Sequence, residues 1–442
     1  MHFNASEDSD KLLAMSENQA PDKRPAEPAH IRTGPVWDQK CEESRPSAVL
    51  VFHGMGQQVK FETISMVAGA ILDEAREQGG VTKDLAVHLS RVEDQFLARA
   101  EVAWRDAGGG SHEVHVYEAY WAPLTEGLVS YRDTLKFLFQ AGWQGLWSSR
   151  PFSSRIFQRW MFGGPQDLSI GASTFPAMLA VLAVLALQVI IIGLVFARLT
   201  QWLAAFAKTG TLLQFGGPGW LVFWILAIAE ALVVRYFLVQ YVGDVAAYIS
   251  PYKSSKFDEV RKRIQKVGLD IGKVIYGVDP KGGKDYPDYF RILMVGHSLG
   301  SALAYDTLNA LINIENIRSA KPVLARTPAL ITFGSPLDKT AFIFRMQRED
   351  WIREQMAAAM QPLIVDYKTY RPPSFTWVNL WSKWDIVSGA LNYFDRPDVA
   401  DADPRHVQNQ EDPDANVPLK AHIQYWKNPA LRKLLYKFAS VT

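Results

Sequence analysis

The stretch from Phe175 to Ala197, FPAMLAVLAVLALQVIIIGLVFA, constrains this chain more than any other: it is 23 residues long and Gln188 is its single strongly polar side chain. As a helix at 1.5 Å per residue it would span about 34 Å, enough to cross a hydrocarbon core of about 30 Å. Gly219 to Val239, GWLVFWILAIAEALVVRYFLV, is a second such stretch of 21 residues, with Glu230 near its middle and Arg235 near its end. Soluble core helices seldom run this far without a polar face, so a transmembrane helical hairpin is expected over residues 175–239. Trp202 and Trp220 at the inner ends, and Trp160 upstream, are placed as interfacial anchors. Arg150, Arg155 and Arg159 flank one side, and Lys253, Lys256, Arg261, Lys262 and Arg263 the other, whereas the connecting loop holds Arg198 and Lys208. The positive-inside bias therefore puts both long flanks in the cytoplasm.

An acid within a span is a functional hypothesis by default, because its charge is costly there. Glu230 and Gln188 fall at similar depth in an antiparallel hairpin, which favours a protonated Glu230 hydrogen-bonded to Gln188 over a proton relay. The rest of the chain has the composition of a globular protein, 48% hydrophobic and 21% charged. A net charge of +1 gives no footprint for a nucleic-acid partner, and one cysteine, Cys41, excludes an intramolecular disulfide framework and a multi-cysteine zinc site. The first 45 residues, rich in Ser, Asp, Glu, Pro and Lys and without the basic and apolar regions of a secretory signal, are expected to form a disordered tail.

Outside the apolar pair, strands alternate with helices, which predicts an α/β fold with a mostly parallel sheet flanked by helices. The strands are expected at Pro46–Gly54, Val114–Trp121, Arg291–Val295, Leu330–Phe333 and Thr376–Trp381, and helices at Gln57–Gln78 and Phe257–Gly268. Tyr393–Pro418, dense in Asp, Pro and Asn, reads as a long loop. Residues 131–174 read as an amphipathic, membrane-proximal segment, so the α/β domain is expected in two parts, 46–130 and 240–442. Asp244 reads as a helix cap, with a substrate contact as the alternative. Pro429–Ala439, PALRKLLYKFA, is a basic amphipathic helix for which packing on the sheet and contact with anionic lipid stay open.

The chemistry lies in Gly296-His297-Ser298-Leu299-Gly300, which follows the apolar strand ILMV and opens the small-residue helix SALAYDTLNALI. Glycines on either side of the serine permit a strained elbow that lifts its hydroxyl above the sheet. Backbone amides at the new helix's start, beginning with Leu299, point toward a developing oxyanion.

GHSLG at 296–300, with HGMGQQ at 53–58 after the strand AVLVF, resembles the α/β-hydrolase fold, in particular its lipases and esterases. The resemblance implies that the HG stretch ends the third strand and that the Met55 backbone N–H is the second oxyanion donor. His53 is then a structural loop residue, with catalytic base as its rival role. The family's chain order, Ser, Asp/Glu, His, leaves His422 and His406 as downstream bases. His422, in an HxxYW stretch before a helix, is favoured over His406 in the Asp/Pro-rich loop. Asp385, after the strand FTWVNLW, holds the usual place of the acid, with Asp338 after ITFGSPL as runner-up. This chemistry requires no metal or organic cofactor, and no metal-ligand spacing appears in the sequence.

One departure from the family stands out, the 245 residues between His53 and Ser298. The insert contains the apolar pair, and an even number of crossings lets strands on either side of it join one sheet. The expected protein is a membrane-anchored serine hydrolase of carboxylic esters, with the bilayer and a lipid or other acyl ester as partners. Thioesterase, acyltransferase and peptidase chemistry stay open, since GHSLG does not choose the acyl donor. The alternatives from other classes are a membrane scaffold with an inactive hydrolase-like domain and, on the strength of Glu230, a transport component.

Overall fold

The computed structural model describes residues 45–55, 59–125 apart from 84, 93 and 94, then 248, 255–278, 288–318, 323–338, 340, 375–385, 387–391, 394, 406–417 and 420–440, with scattered helical positions between 186 and 229. Its strands are β1 (Ser47–Phe52), β2 (Val81–Thr82), β3 (Ala86–Val92), β4 (Gln95–Arg105), β5 (Ser111–Ala119), β6 (Ile292–His297), β7 (Ala329–Phe333), β8 (Thr376–Trp381) and β9 (Gln408–Glu411). They form one mixed sheet in the order β2-β4-β5-β1-β6-β7-β8-β9, with β3 on β4. From β5 to β9 every pairing is parallel, and β4 joins β5, β3 and β2 antiparallel.

Helices cover both faces, and the strand period of two decides what each face receives. Ala48, Leu50 and Phe52 of β1 and Ile292 and Met294 of β6 meet α2 (Ser255–Tyr276) and α3 (Leu299–Arg318), burying Ile264, Ile271, Leu303 and Leu308. The alternate residues Val49, Val51, Leu293 and Val295 meet α1 (Glu62–Glu77) and α5 (Pro429–Ala439), with Ile64, Val67, Ile71, Leu431 and Leu435. Every residue of β1 is buried, as in a central parallel strand covered twice. Truncating such a side chain, Leu50→Ala for example, costs about 2–5 kcal/mol in a core that cannot collapse around the gap.

This settles the question left open for the last helix. The apolar face of α5 is spent on the sheet and α1, and its Arg432 binds Glu74 at 2.9 Å and Glu77 at 2.6 Å. Three differences from the sequence reading follow from pairing rather than pattern. The hairpin β3–β4 was not legible, because ARAEVAWR alternates weakly, its Arg99 and Glu101 pairing with each other along β4. The expected long loop at Tyr393–Pro418 contains β9, whose QNQE carries no apolar period and is held by backbone pairing to β8. The charged helix is longer than Phe257–Gly268, running Ser255–Tyr276.

Strands before and after the insert share one sheet, since β5 and β6 both pair with β1. Among the described residues no helix is long and apolar enough to cross a membrane. Most of Phe175–Ala197 and Gly219–Val239, including Gln188 and Glu230, lies outside the described residues, as do the 1–45 segment apart from Arg45, residues 131–174 and Asp244. The positions described within the two apolar segments are helical, and Leu187, Ile190, Leu194, Phe196, Ile225 and Ile228 among them are exposed.

Candidate active site

The serine, aspartate and histidine favoured for the triad hang from the carboxyl ends of parallel strands. Ser298 follows β6, Asp385 follows β8, and His422 opens the short helix α4 (Ala421–Gln424) after β9. Between strand and helix, Ser298 takes φ 54°, the left-handed region that non-glycine residues seldom enter. The strained turn is locked from both sides, by Ser298 N–H donating to Phe333 O at 3.0 Å and Ser301 N–H donating to Ser298 O at 2.9 Å.

Close backbone approach explains the flanking glycines. A Cβ on Gly300 would fall 2.3 Å from the carbonyl oxygens of both Phe52 and His53, and one on Gly296 2.6 Å from Ser301 Cα. A Cβ on Gly54 would lie 2.9 Å from Ser298 Cβ, so the HG stretch after β1 sits directly against the elbow, with Met55 next in the chain and buried. This stretch ends the first described strand, where the resemblance implies the third. Leu299 is the first residue of α3, and the N–H groups of a helix's first turn have no acceptor within the helix.

Ser298 Oγ–H donates to His422 Nε2 at 2.8 Å, and His422 Nδ1–H donates to Asp385, 2.9 Å from Oδ2 and 3.1 Å from Oδ1. Asp385 is held in turn by Val387 N–H on Oδ1 (2.8 Å) and Tyr425 O–H on Oδ2 (3.0 Å). The carboxylate is buried, and three donors replace the water it has lost. Asp385, not Asp338, takes the imidazole N–H; Asp338 is buried after β7. His406 stands before β9, at the opposite end of the sheet from Ser298, and is buried there.

His53 is likewise occupied. Its Nδ1–H donates to Gly54 O at 2.7 Å, its Nε2 accepts Trp121 N–H at 3.0 Å, and its ring stacks on Trp121 at 4.9 Å. Burial pulls its pKa down to about 4, so it is neutral; Nδ1 fixes the turn after β1 and Nε2 ties the end of β5 to it.

Two neighbours were missed by the sequence reading. His297, inside the GHSLG motif, donates Nε2–H to the backbone O of His422 at 2.9 Å, and its ring packs 5.0 Å from that of His422. Burial, reinforced by the neighbouring His422, lowers its pKa to about 3, which keeps it neutral. Tyr425 shares a helical turn with His422 and reaches the same carboxylate; its hydroxyl also meets Ser388 Oγ at 3.1 Å. Burial and then the charge of Asp385 push the Tyr425 pKa upward, so it stays a donor. The HxxY spacing was the available signal, since residues three apart share a helix face.

Behind the acid, Asn379 of β8 donates to Gly389 O at 3.0 Å and to Asn409 Oδ1 at 2.9 Å, and Leu391 N–H donates to that same Oδ1 at 2.8 Å. Ser382 Oγ–H donates to Ala415 O at 2.5 Å. Together these pin both ends of the loop that presents Asp385. Away from the elbow, Glu101, Glu113 and His115 on β4 and β5 place ligand-type atoms within 4.8 Å of one another. The Arg99 guanidinium, 2.6 Å from Glu101, already supplies the positive charge there.

No family model, curated protein or solved structure matches the chain.

Proposed function

We propose that this chain is a membrane-anchored serine hydrolase of the α/β-hydrolase fold that cleaves carboxylic esters, most readily those of lipids, through an acyl-enzyme. The observation that carries the reading is the unbroken relay from Ser298 Oγ through His422 to Asp385, at 2.8 and 2.9 Å, with the serine strained to φ 54° at a strand–helix elbow. A core serine needs neither the strain nor an imidazole oriented by a buried carboxylate.

His422 Nε2 takes the Ser298 proton as Oγ attacks the acyl carbonyl, and the Leu299 and Met55 backbone N–H groups receive the negative charge on the carbonyl oxygen. Asp385 keeps the proton on Nδ1 and stabilises the imidazolium. As the tetrahedral adduct collapses, His422 returns its proton to the leaving alcohol, forming the acyl-serine. Water, deprotonated by His422, then attacks that ester and releases the acid and Ser298. The two apolar segments of bilayer-crossing length support the anchoring and the lipid substrate, with the α/β domain on the cytoplasmic side.

Fluorophosphonate labelling of the detergent-solubilised full chain tests the chemistry. Wild type is expected to label at Ser298 and Ser298→Ala not at all, with both sedimenting with membranes before solubilisation. A folded wild type that refuses the probe would shift the reading to a scaffold carrying an inactive hydrolase-like domain.

A further inference from the structure

The edge of the sheet that carries Ser298 is also where the chain leaves for its apolar insert and where it returns. It leaves from β5, parallel to β1 and β6, whose carboxyl end continues through Trp121 (bonded to His53 beside the elbow) to the turn Ala122–Leu124. It returns through Tyr248 and α2. Tyr248 O–H donates at 2.5 Å to Oδ2 of Asp306, on α3 about two turns past Ser298, and Gln265 of α2 donates to the same oxygen at 2.9 Å.

Gly268 of α2 lies against Thr307 and Gly272 against Leu311, so α2 and α3 run in the same direction. Because α3 starts at the catalytic edge and runs away from it, α2 is entered from that edge too. Gly268 also abuts Phe52, the last residue of β1, which leaves about 20 Å of helix between it and Ser255 on the catalytic side.

The same edge exposes apolar side chains on the loops that bear the reacting groups. Val59 (68% exposed) and Phe61 (43%) follow the HG stretch, Trp384 (46%) precedes Asp385, and Val417 (40%) and Ile423 (60%) flank His422. The ammonium of Lys60 stands 5.0 Å from the Phe61 ring centroid, and Lys383 and Lys420 are exposed beside Trp384 and His422. Apolar rings and aliphatic side chains interleaved with lysines suit the headgroup–acyl boundary of a bilayer.

We infer that the catalytic edge is itself the membrane-facing surface: the rim formed by Val59, Phe61, Trp384, Val417 and Ile423 dips into the leaflet, and Ser298 draws its ester directly from that leaflet. This rests on the membrane-anchored reading above and adds an orientation to it. Both ends of the insert tether the same edge, so a spanning insert holds the mouth of the site against the bilayer rather than turning it toward water.

The test uses the full chain in phosphatidylcholine–phosphatidylserine vesicles, in a Cys41→Ser background. Single cysteines at Phe61, Trp384 and Ile423, and at exposed Ser111, which opens β5 at the opposite edge, carry an environment-sensitive dye, and the vesicles carry a nitroxide lipid quencher. Dyes at 61, 384 and 423 are expected to lose about half of their fluorescence or more, as groups seated at the acyl boundary do, and the dye at 111 to keep it. In the Phe61→Asn/Trp384→Gln/Ile423→Gln variant, hydrolysis of a vesicle-embedded ester should fall about tenfold or more as apolar contact is lost. Its labelling by a water-soluble fluorophosphonate in detergent should stay at the wild-type rate.

Equal quenching at the rim and at 111 in vesicle-bound protein overturns the orientation. Shielding of the rim dyes in detergent that grows with protein concentration assigns the rim to a second copy, and overturns it as well. Protein that does not float with vesicles removes the membrane anchoring and the inference together. Failure of the hydrolase chemistry shows separately, as absent labelling of Ser298, and leaves the quenching pattern unchanged.

Discussion

Lowering the pH from 7.5 to 5 should destabilise this protein through His297, and a substitution there should remove that part of the loss. The ring is buried, its pKa is about 3, and an unfolded histidine titrates at 6.5. Because the folded value is depressed, the contribution is fully present above pH 6.5 and is lost as pH falls toward 3, where the unfolded chain binds a proton that the native ring refuses. At pH 5 the native ring is still neutral while the unfolded one is almost wholly charged, a difference of about 2 kcal/mol. His297→Gln keeps an N–H for the carbonyl of His422 but does not titrate.

The assay is urea unfolding of the detergent-solubilised full chain at pH 7.5 and 5. Wild type is expected to lose about 2 kcal/mol more than His297→Gln across that interval, whatever the variant's stability at pH 7.5. Equal losses in the two proteins would refute the claim that His297 is held neutral. His53, lowered to about 4, contributes with the same sign in both, so it cancels from the comparison.

Tyr425→Phe removes one donor from the buried Asp385 carboxylate, a bond worth about 1.5–3 kcal/mol to a charged group. We expect kcat to fall roughly tenfold with KM unchanged; an unchanged kcat would leave Tyr425 a packing residue. Gly300→Ala drives a methyl into two carbonyl oxygens at 2.3 Å, so it should cost roughly 3 kcal/mol and abolish Ser298 labelling; normal labelling would contradict the close approach of β1 to the elbow. Glu230→Gln should leave ester hydrolysis within about twofold of wild type if Glu230 serves only to hold the hairpin together, and a large loss in a folded variant would assign it a part in function.

Local pattern alone determined much of this protein. All-apolar runs such as AVLVF and ILMV predict doubly covered parallel strands, and Gly-x-Ser-x-Gly between such a strand and a small-residue helix predicts an elbow, because backbone sterics act within a few residues. Ser298 and Asp385 were legible for the same reason, each standing just past an apolar strand, whereas His422 was found through the HxxYW resemblance, the strand before it carrying no apolar pattern. Tertiary structure decided what depends on which chains become neighbours. QNQE is a strand only because β8 offers it a ladder, and the β3–β4 hairpin only because β5 does. His422 rather than His406 meets Ser298 because β9 runs parallel to β6 and puts its carboxyl end, not its amino end, at the catalytic edge. His297 and Tyr425 gain their roles from partners 125 and 40 residues away, across contacts that no local period encodes.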